Sequence, residues 1–371
     1  MRVCFVSPEM FHWGVHGGFG YITWTLSREL VKRGHEACVV TPRRKGQGSV
    51  EDVDGVKVYG FDPCSDLPYP VNAIQSRRDS LKYYRMADAD IYHSQAISYN
   101  TYAANLATPE KKHILTFQDP YDQHEWRRIA RVEPRYGTMS HILRVEAEIR
   151  FLARTCNRMD TLYSQAHFLV PKVRDLYRLD DDPEFLPNPV PVPIEVGEKA
   201  EKPTVCFLAR WDPQKRVELF FKLAKEHPEI EFIAMGKSHD AEKDGEFRAR
   251  YGALPNLTMT GFVTEEEKSR ILSKSWALMN TSVREALPVS FLEALAHKTL
   301  IISGEDPDML TSTYGFHVEG EDYSAGLDWL LESSDRMSKG EKGRRHVSEV
   351  YEMEHVVDLH IERYEGVLGE G

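Results

Sequence analysis

The fold class is decided by Arg2-Val3-Cys4-Phe5-Val6-Ser7, followed by Gly17-Gly18-Phe19-Gly20, by Ile22, Leu26 and Leu30, by Gly34, and by Ala37-Cys38-Val39-Val40. Residues 2–7 read as an apolar run, as in a strand covered on both faces. Apolar side chains at i, i+4 and i+8 lay a stripe along a helix, and Gly34 is a natural stop for it. The second apolar run is another strand. The spacing predicts strand 2–7, loop 8–20 and helix 21–33. Such a β-α-β unit implies a parallel sheet with helices on its faces.

Outward from there the alternation continues. Strands are expected at 56–59, 91–93, 113–117 and 161–164, and helices at about 77–86, 97–107, 138–156 and 166–178. Residues 187–203 break the pattern. Pro187-Asn188-Pro189-Val190-Pro191-Val192-Pro193 fits neither a helix nor a central strand and reads as a stiff linker. The alternation then restarts, with strands expected at 204–208, 231–235, 257–260, 276–279 and 299–303. Helices are expected at 215–227, 264–274 and 288–297, the second opened by a Thr264-x-x-Glu267 capping box. Beyond 320 the chain reads as helical, ending in an amphipathic segment near 352–368. This predicts two doubly wound α/β domains, 1–190 and 200–350, with strand-end loops 7–20, 117–126, 208–215, 235–240 and 280–289 as ligand sites.

Composition narrows the function. Of 371 residues, 41% are hydrophobic, enough for two cores. No apolar run is long enough to span a bilayer, and the opening residues read as a strand rather than a signal peptide. The five cysteines include no Cys-x-x-Cys pair, so free thiols, a reducing cytoplasm and no metal are expected. Residues 1–190 carry 25 basic and 24 acidic side chains, the remainder 22 and 34. So acidic a chain is a poor nucleic-acid binder. The clusters Arg43-Arg44-Lys45, Arg77-Arg78 and Arg127-Arg128 read as solvated surface or as a peripheral contact with the inner face of a membrane.

Three stretches carry chemistry. The first glycine loop has the layout of an anion-binding turn, where backbone amides and a helix N-terminus meet a phosphate. A dinucleotide fingerprint fails there: after Gly18-Phe19-Gly20 the third glycine is missing, and the second strand ends in Thr41-Pro42 rather than an acidic residue. Next, Ala209-Arg210-Trp211-Asp212-Pro213-Gln214-Lys215 brackets a proline turn with two cations that can stabilise a leaving diphosphate. Finally, Glu285-Ala286-Leu287-Pro288-Val289-Ser290-Phe291-Leu292-Glu293 follows a strand. Pro288 fits the first position of a helix, leaving the amides near Leu287, Val289 and Ser290 for a diphosphate. Glu285 and Glu293 can accept from sugar and ribose hydroxyls. Equally, Ser282-x-x-Glu285 and Ser290-x-x-Glu293 match capping boxes.

Taken together, Gly17-Gly18, Arg210 with Lys215, Glu285 with Glu293, Asp90-Ile91-Tyr92-His93, Tyr163-Ser164 and Gly261-Phe262-Val263 resemble the retaining glycosyltransferases of family 4. The resemblance covers essentially the whole chain. It implies the GT-B fold: two facing Rossmann-like domains with a central cleft, an acceptor domain of 1–190, a donor domain of 200–350, and a terminal helix of about 352–371 crossing back to the first. It also implies a nucleoside diphosphate sugar as donor, a saccharide, lipid-linked or small-molecule hydroxyl as acceptor, retained configuration and no metal. Arg210 and Lys215 would bind the diphosphate, Glu285 the sugar near the reaction centre, Glu293 the ribose, and Gly17 and Gly18 would admit the phosphates.

The chain departs from the family pattern at Ala209, at Glu285-Ala286-Leu287-Pro288, and at Asn188-Pro189-Val190-Pro191. In Thr116-Phe117-Gln118-Asp119, Gln118 stands where the family has a histidine, which makes Gln118 and Asp119 a candidate active-site loop and leaves His124 as a stand-in. The reading is a glycosyltransferase using a UDP-sugar, with GDP-sugar second. The alternatives are a nucleotide-sugar epimerase or phosphorylase on the same fold, a dehydrogenase using the first glycine loop, and a non-catalytic sugar- or nucleotide-binding protein.

Overall fold

The computed structural model describes residues 1–11, 13, 17–66 and 71–369. Parts of the first loop (12 and 14–16) and the last two residues of the expected terminal helix lie outside the described residues. The chain divides into two compact units. One comprises residues 1–122, 140–189 and the chain from Glu354 onward; the other comprises 123–139 and 190–353. Residues 123–139, within the first half of the sequence, thus cluster with the second unit.

The first unit is built on eight strands: β1 (Arg2–Val6), β2 (Glu36–Pro42), β3 (Val50–Val53), β4 (Val56–Phe61), β5 (Ile91–Ser94), β6 (Lys112–Phe117), β7 (Thr161–Ser164) and β8 (Glu184–Phe185). Their order is β3-β4-β2-β1-β5-β6-β7-β8, parallel throughout except for the antiparallel β3 edge. Val3, Cys4, Phe5 and Val6 are all buried, which is why β1 is apolar on both faces. The sequence pattern missed β3 and β8, both too short or too polar to stand out.

The second unit has a parallel sheet of β9 (Thr204–Leu208), β10 (Glu231–Met235), β11 (Leu257–Gly261), β12 (Ala277–Asn280), β13 (Leu300–Ser303) and β14 (Gly315–His317). The order is β11-β10-β9-β12-β13-β14. Phe207, Phe220, Phe221, Phe232 and Trp211 fill its core. The expected capping box is present: Thr264 accepts from the Glu267 amide and Glu267 from the Thr264 amide, each at 3.2 Å. Helix Ala241–Tyr251, not foreseen because its large apolar side chains are only Phe247 and Tyr251 near its end, starts at Asp240, whose carboxylate accepts from the amides of Glu242 and Lys243.

The terminal helix Met353–Gly369 is bound into the first unit through a buried polar cluster. His93 on β5 meets Tyr364 Oη through Nδ1 and Thr116 Oγ1 through Nε2, both at 2.8 Å. His360 Nε2 lies 3.1 Å from the Pro187 carbonyl oxygen. Burial pushes the His360 imidazole down to about 4 and holds His93 well below its usual range. Both rings are neutral in the folded protein. Unfolded chains take up these protons below about pH 6.5, so stability held above that pH is lost as pH falls towards about 4. A His360→Gln variant should be less stable at neutral pH but lose less on acidification, the two profiles converging by on the order of 2–3 kcal/mol. Melting temperatures across this range check it; parallel profiles would clear His360 of the effect.

Candidate functional site

In the second sheet the strand order reverses between β9 and β12. Open parallel sheets bind ligands at such a point, beyond the carboxyl ends of the strands. The two loops flanking it, 209–216 and 281–288, carry Arg210, Lys215 and Glu285.

The first loop is shaped by its anchors. Trp211 is buried and packs edge-on against Phe221 at 5.3 Å between centroids. Gly236 approaches this loop so closely that a Cβ would lie 2.0 Å from the Ala209 carbonyl oxygen. Pro213–Lys215 is a separate 3-10 turn, and the following helix starts at Val217 rather than at 215 as expected. The break comes from Arg216, whose φ of +48° no helix accommodates. Thr281 holds that strained turn: its hydroxyl lies 2.6 Å from the Lys215 carbonyl and 3.1 Å from that of Arg216, while Arg216 Nε donates to the Thr281 carbonyl at 2.7 Å.

The turn delivers Lys215 Nζ to 2.6 Å from Glu285 Oε1. The same oxygen accepts from Ser282 Oγ at 2.6 Å and from Asn280 Nδ2 at 2.9 Å. Glu285 Oε2 has no partner among the described residues. Burial alone would raise this carboxyl, but the Lys215 charge and the three donors outweigh it and hold it below the usual range. Glu285 is therefore an ionised, half-used carboxylate at the switch point. Ser282 spends its hydroxyl on Glu285 rather than on a helix, so the capping-box alternative does not describe this pair.

The helix beyond runs Val289–Ala296, with Pro288 as its N-cap in an extended conformation rather than as its first residue. Ser290 is the second helical residue and caps nothing. The Phe291 amide bonds the Pro288 carbonyl at 3.0 Å. The amides of Val289 and Ser290 have no acceptor among the described residues, whereas Leu287 is buried beneath them. Glu293 lies in the next turn, 2.5 Å from Lys268 Nζ. Burial raises its carboxyl and Lys268 opposes the rise. Arg210 is more exposed, with Nε 3.3 Å from Asp212 Oδ2. Thr281, Asn280, Ser282 and Lys268 were not foreseen as site residues, although the polar run after β12 was the signal for three of them.

Comparison with known proteins places this geometry. Residues 193–346 match the family model described as glycosyl transferases group 1, and residues 16–192 match glycosyltransferase family 4. The chain belongs to the family 4 glycosyltransferases. No curated protein matches it in sequence. Among solved structures, a sucrose-phosphate synthase from Thermosynechococcus elongatus is similar over 100% of both chains, with 12% identity and a TM-score of 0.77. A glycosyltransferase from Rickettsia africae is similar over 100% of this chain and 99% of its own, at 14% identity and a TM-score of 0.70. Anabaena HepE, solved with UDP and glucose, covers 98% of this chain and 99% of its own, at 11% identity and a TM-score of 0.70. These likenesses show the GT-B fold.

The first unit of this glycosyltransferase holds the remaining candidates. Helix Gly18–Lys32 starts three residues before the expected 21, with Gly17 as N-cap. Its N-terminus already meets an anion: Glu9 Oε1 accepts from the Gly20 amide at 3.1 Å. A Cβ on Gly17 would fall 2.2 Å from that oxygen, whereas one on Gly18 would meet open space. Gln118, after β6, is buried in an amide lattice across four neighbouring strand ends. Its Nε2 donates to Gln95 at 3.0 Å and Asn188 at 2.9 Å, and its Oε1 accepts from Asn188 at 2.7 Å. Gln165 completes the lattice by accepting from Asn188 at 2.5 Å. Both Gln118 amide protons are therefore spent within the protein. Asp119 follows in the turn, half-buried, and His124 is exposed in helix Gln123–Ala130 of the second unit.

Among the basic clusters, Arg77 stacks over Tyr99 at 4.7 Å, and Arg128 binds Glu305. No helix among the described residues is long and apolar enough to cross a membrane.

Thr281→Val keeps the shape of that side chain and removes the hydroxyl. It should cost about 1–2 kcal/mol by orphaning the carbonyls of the strained turn. A fall in melting temperature of about 2–4 °C checks it, and an unchanged midpoint would show that the turn holds itself.

Proposed function

We propose that the chain transfers a glycosyl group from a nucleoside diphosphate sugar, a UDP-sugar by preference, to a hydroxyl acceptor with retained configuration and without a metal. The observation that carries this reading is the Glu285 carboxylate, with one oxygen fixed by three donors and the other open. Such a group is oriented before substrate arrives and accepts from a sugar hydroxyl without reorganising. Lys215, held by Glu285 through one N–H, keeps two more for a diphosphate.

As the bond from the anomeric carbon to the phosphate oxygen breaks, negative charge grows on the leaving diphosphate. Lys215, Arg210 and the unpaired Val289 and Ser290 amides are the groups assigned to that charge. Arg210, tied only by a long contact to Asp212, can swing onto the phosphates. Glu293, kept near Lys268, is assigned to the ribose diol. Retention rests on family membership. UDP is favoured by the family and by HepE, a similar structure with UDP bound. Acceptor choice is assigned to the first unit, where Gly17 and Gly18 flank a helix N-terminus that Glu9 already occupies. With its amide protons spent, Gln118 is read as a strand-end brace beside Asp119 in the candidate loop.

Melting-temperature shifts with UDP, GDP, ADP and NADH test the donor class. A diphosphate at about a hundred times its dissociation constant adds about 2.7 kcal/mol of stability. The shift should be largest with UDP and vanish in Lys215→Ala; stabilisation by NADH alone would overturn the reading in favour of a dehydrogenase. Glu285→Ala should lower turnover by roughly 100-fold or more, the scale of losing a group that acts in the transition state. Retained turnover would remove Glu285 from the reaction. A chelator should leave the rate unchanged, and a rate restored only by added divalent ions would refute metal independence. Sugar turnover without an acceptor would favour an epimerase.

A further inference from the structure

The segment 123–139 belongs to the second unit although the chain on either side of it belongs to the first. Several of its polar contacts reach residues one or two peptides from Lys215 and Glu285. Glu125 Oε1 lies 2.9 Å from Arg284 Nε, and the pair is almost fully buried, with side chains 10% and 2% exposed. Arg128 donates both to the Val283 carbonyl and to the Glu305 carboxylate. Glu133 accepts from Gln214 Nε2 at 3.3 Å, and the Gln214 carbonyl accepts from the Val283 amide at 2.9 Å.

Residues 281–287 have no helical or strand hydrogen bonding of their own. Such a stretch keeps one conformation only if its backbone groups are held from outside. Helix Gln123–Ala130 supplies much of that hold, and does so with charges rather than with apolar packing. A buried Arg–Glu pair stabilises little compared with an apolar pair of the same volume, but it fixes direction and register. The buried Ile129 already supplies apolar anchorage for this helix. The polar contacts add to that anchorage, and those to Arg284, Val283 and Gln214 land beside the assigned donor groups.

We propose that Glu125 and Arg128 are positioning residues of the transfer reaction, setting the Glu285 loop through Arg284 and the Val283 carbonyl. This rests on the transferase reading of Lys215 and Glu285. It makes helix Gln123–Ala130 part of the donor half of the enzyme, although it lies in the acceptor half of the sequence.

Hydrogen exchange followed by mass spectrometry, with UDP binding and turnover kinetics, tests it in Arg128→Ala, Arg128→Lys and Glu125→Gln. Arg128→Ala should raise exchange across residues 281–286 by roughly tenfold while leaving β9 peptides at their native rate. Turnover should fall roughly tenfold with the KM for donor changed far less, because a misplaced group costs alignment rather than binding. Arg128→Lys should recover part of both. Lys215→Ala separates the two ideas: it should lose UDP binding, whereas Arg128→Ala should retain it. Native exchange at 281–286 in a folded Arg128→Ala or Glu125→Gln protein would overturn the proposal, as would a uniform rise across β9. Absence of UDP, GDP and ADP binding by the unaltered protein would overturn the transferase reading, and this proposal with it.

Discussion

The second unit is organised around one ion pair, Lys215 with Glu285. Neither residue lies in an α-helix or a strand. Each sits at the end of a strand next to the point where the sheet changes direction, and each is delivered by an irregular turn that would not hold on its own. The left-handed Arg216, the Thr281 hydroxyl and the Ser282 and Asn280 donors make sense together once the pair is taken as what they serve. Breaking either half would leave a mostly desolvated charge, so the loops are specified by electrostatics as much as by packing. The aromatic core below, with Trp211 against Phe221, gives this arrangement a floor that does not move.

Much of this was legible in the sequence, for definable reasons. The strands at 2–7, 204–208 and 231–235 could be read because strands buried on both faces must be apolar throughout. The linker was legible because prolines in close succession exclude regular structure. Lys215 stood out as a cation at an expected helix start, where the dipole disfavours it, Glu285 as a carboxylate in a strand-end loop, and Glu293 by its spacing from Glu285. Family membership bears out the resemblance that tied these signals together. What could not be read follows equally physical lines. β8 is two residues long, below any periodicity. Helix Ala241–Tyr251 marks its core face with only Phe247 and Tyr251, too short a stripe to stand out beside the cap at Asp240. The start of the Pro213–Lys215 turn and the true N-cap at Pro288 depend on the left-handed Arg216 and on an extended Pro288, and the residue types announce neither. The convergence of Glu125, Arg128 and Glu133 on the Glu285 loop is a long-range matter that local pattern does not encode.

The two units solve the same problem with different chemistry. Both place polar side chains at the carboxyl ends of parallel strands, where backbone pairing ends and orphan groups accumulate. The first unit closes those ends with neutral groups: the amides of Gln95, Gln118, Gln165 and Asn188, and imidazoles that burial keeps uncharged. The second closes them with ion pairs: Lys215 with Glu285, Arg284 with Glu125, and Arg128 with Glu305. A neutral lattice is satisfied internally and offers little to a charged ligand. Ion pairs with an open oxygen or spare N–H groups can exchange one partner for a ligand at small cost. The division matches the proposed roles, since a diphosphate sugar brings charge and an alcohol acceptor brings none.

The same contrast gives Gln118 a physical meaning. A histidine at that position would titrate near neutral pH and, if placed in this lattice, would have to be kept neutral by burial, as His93 and His360 are. An amide of similar reach binds Gln95 and Asn188 without any protonation cost. It also spends both of its protons doing so. Whatever group the family's histidine offers a donor sugar, this side chain cannot offer it without breaking two buried hydrogen bonds, each worth on the order of 1 kcal/mol and more if left unpaired. The substitution therefore makes Gln118 a brace of the first unit's strand ends, with both amide protons committed to Gln95 and Asn188.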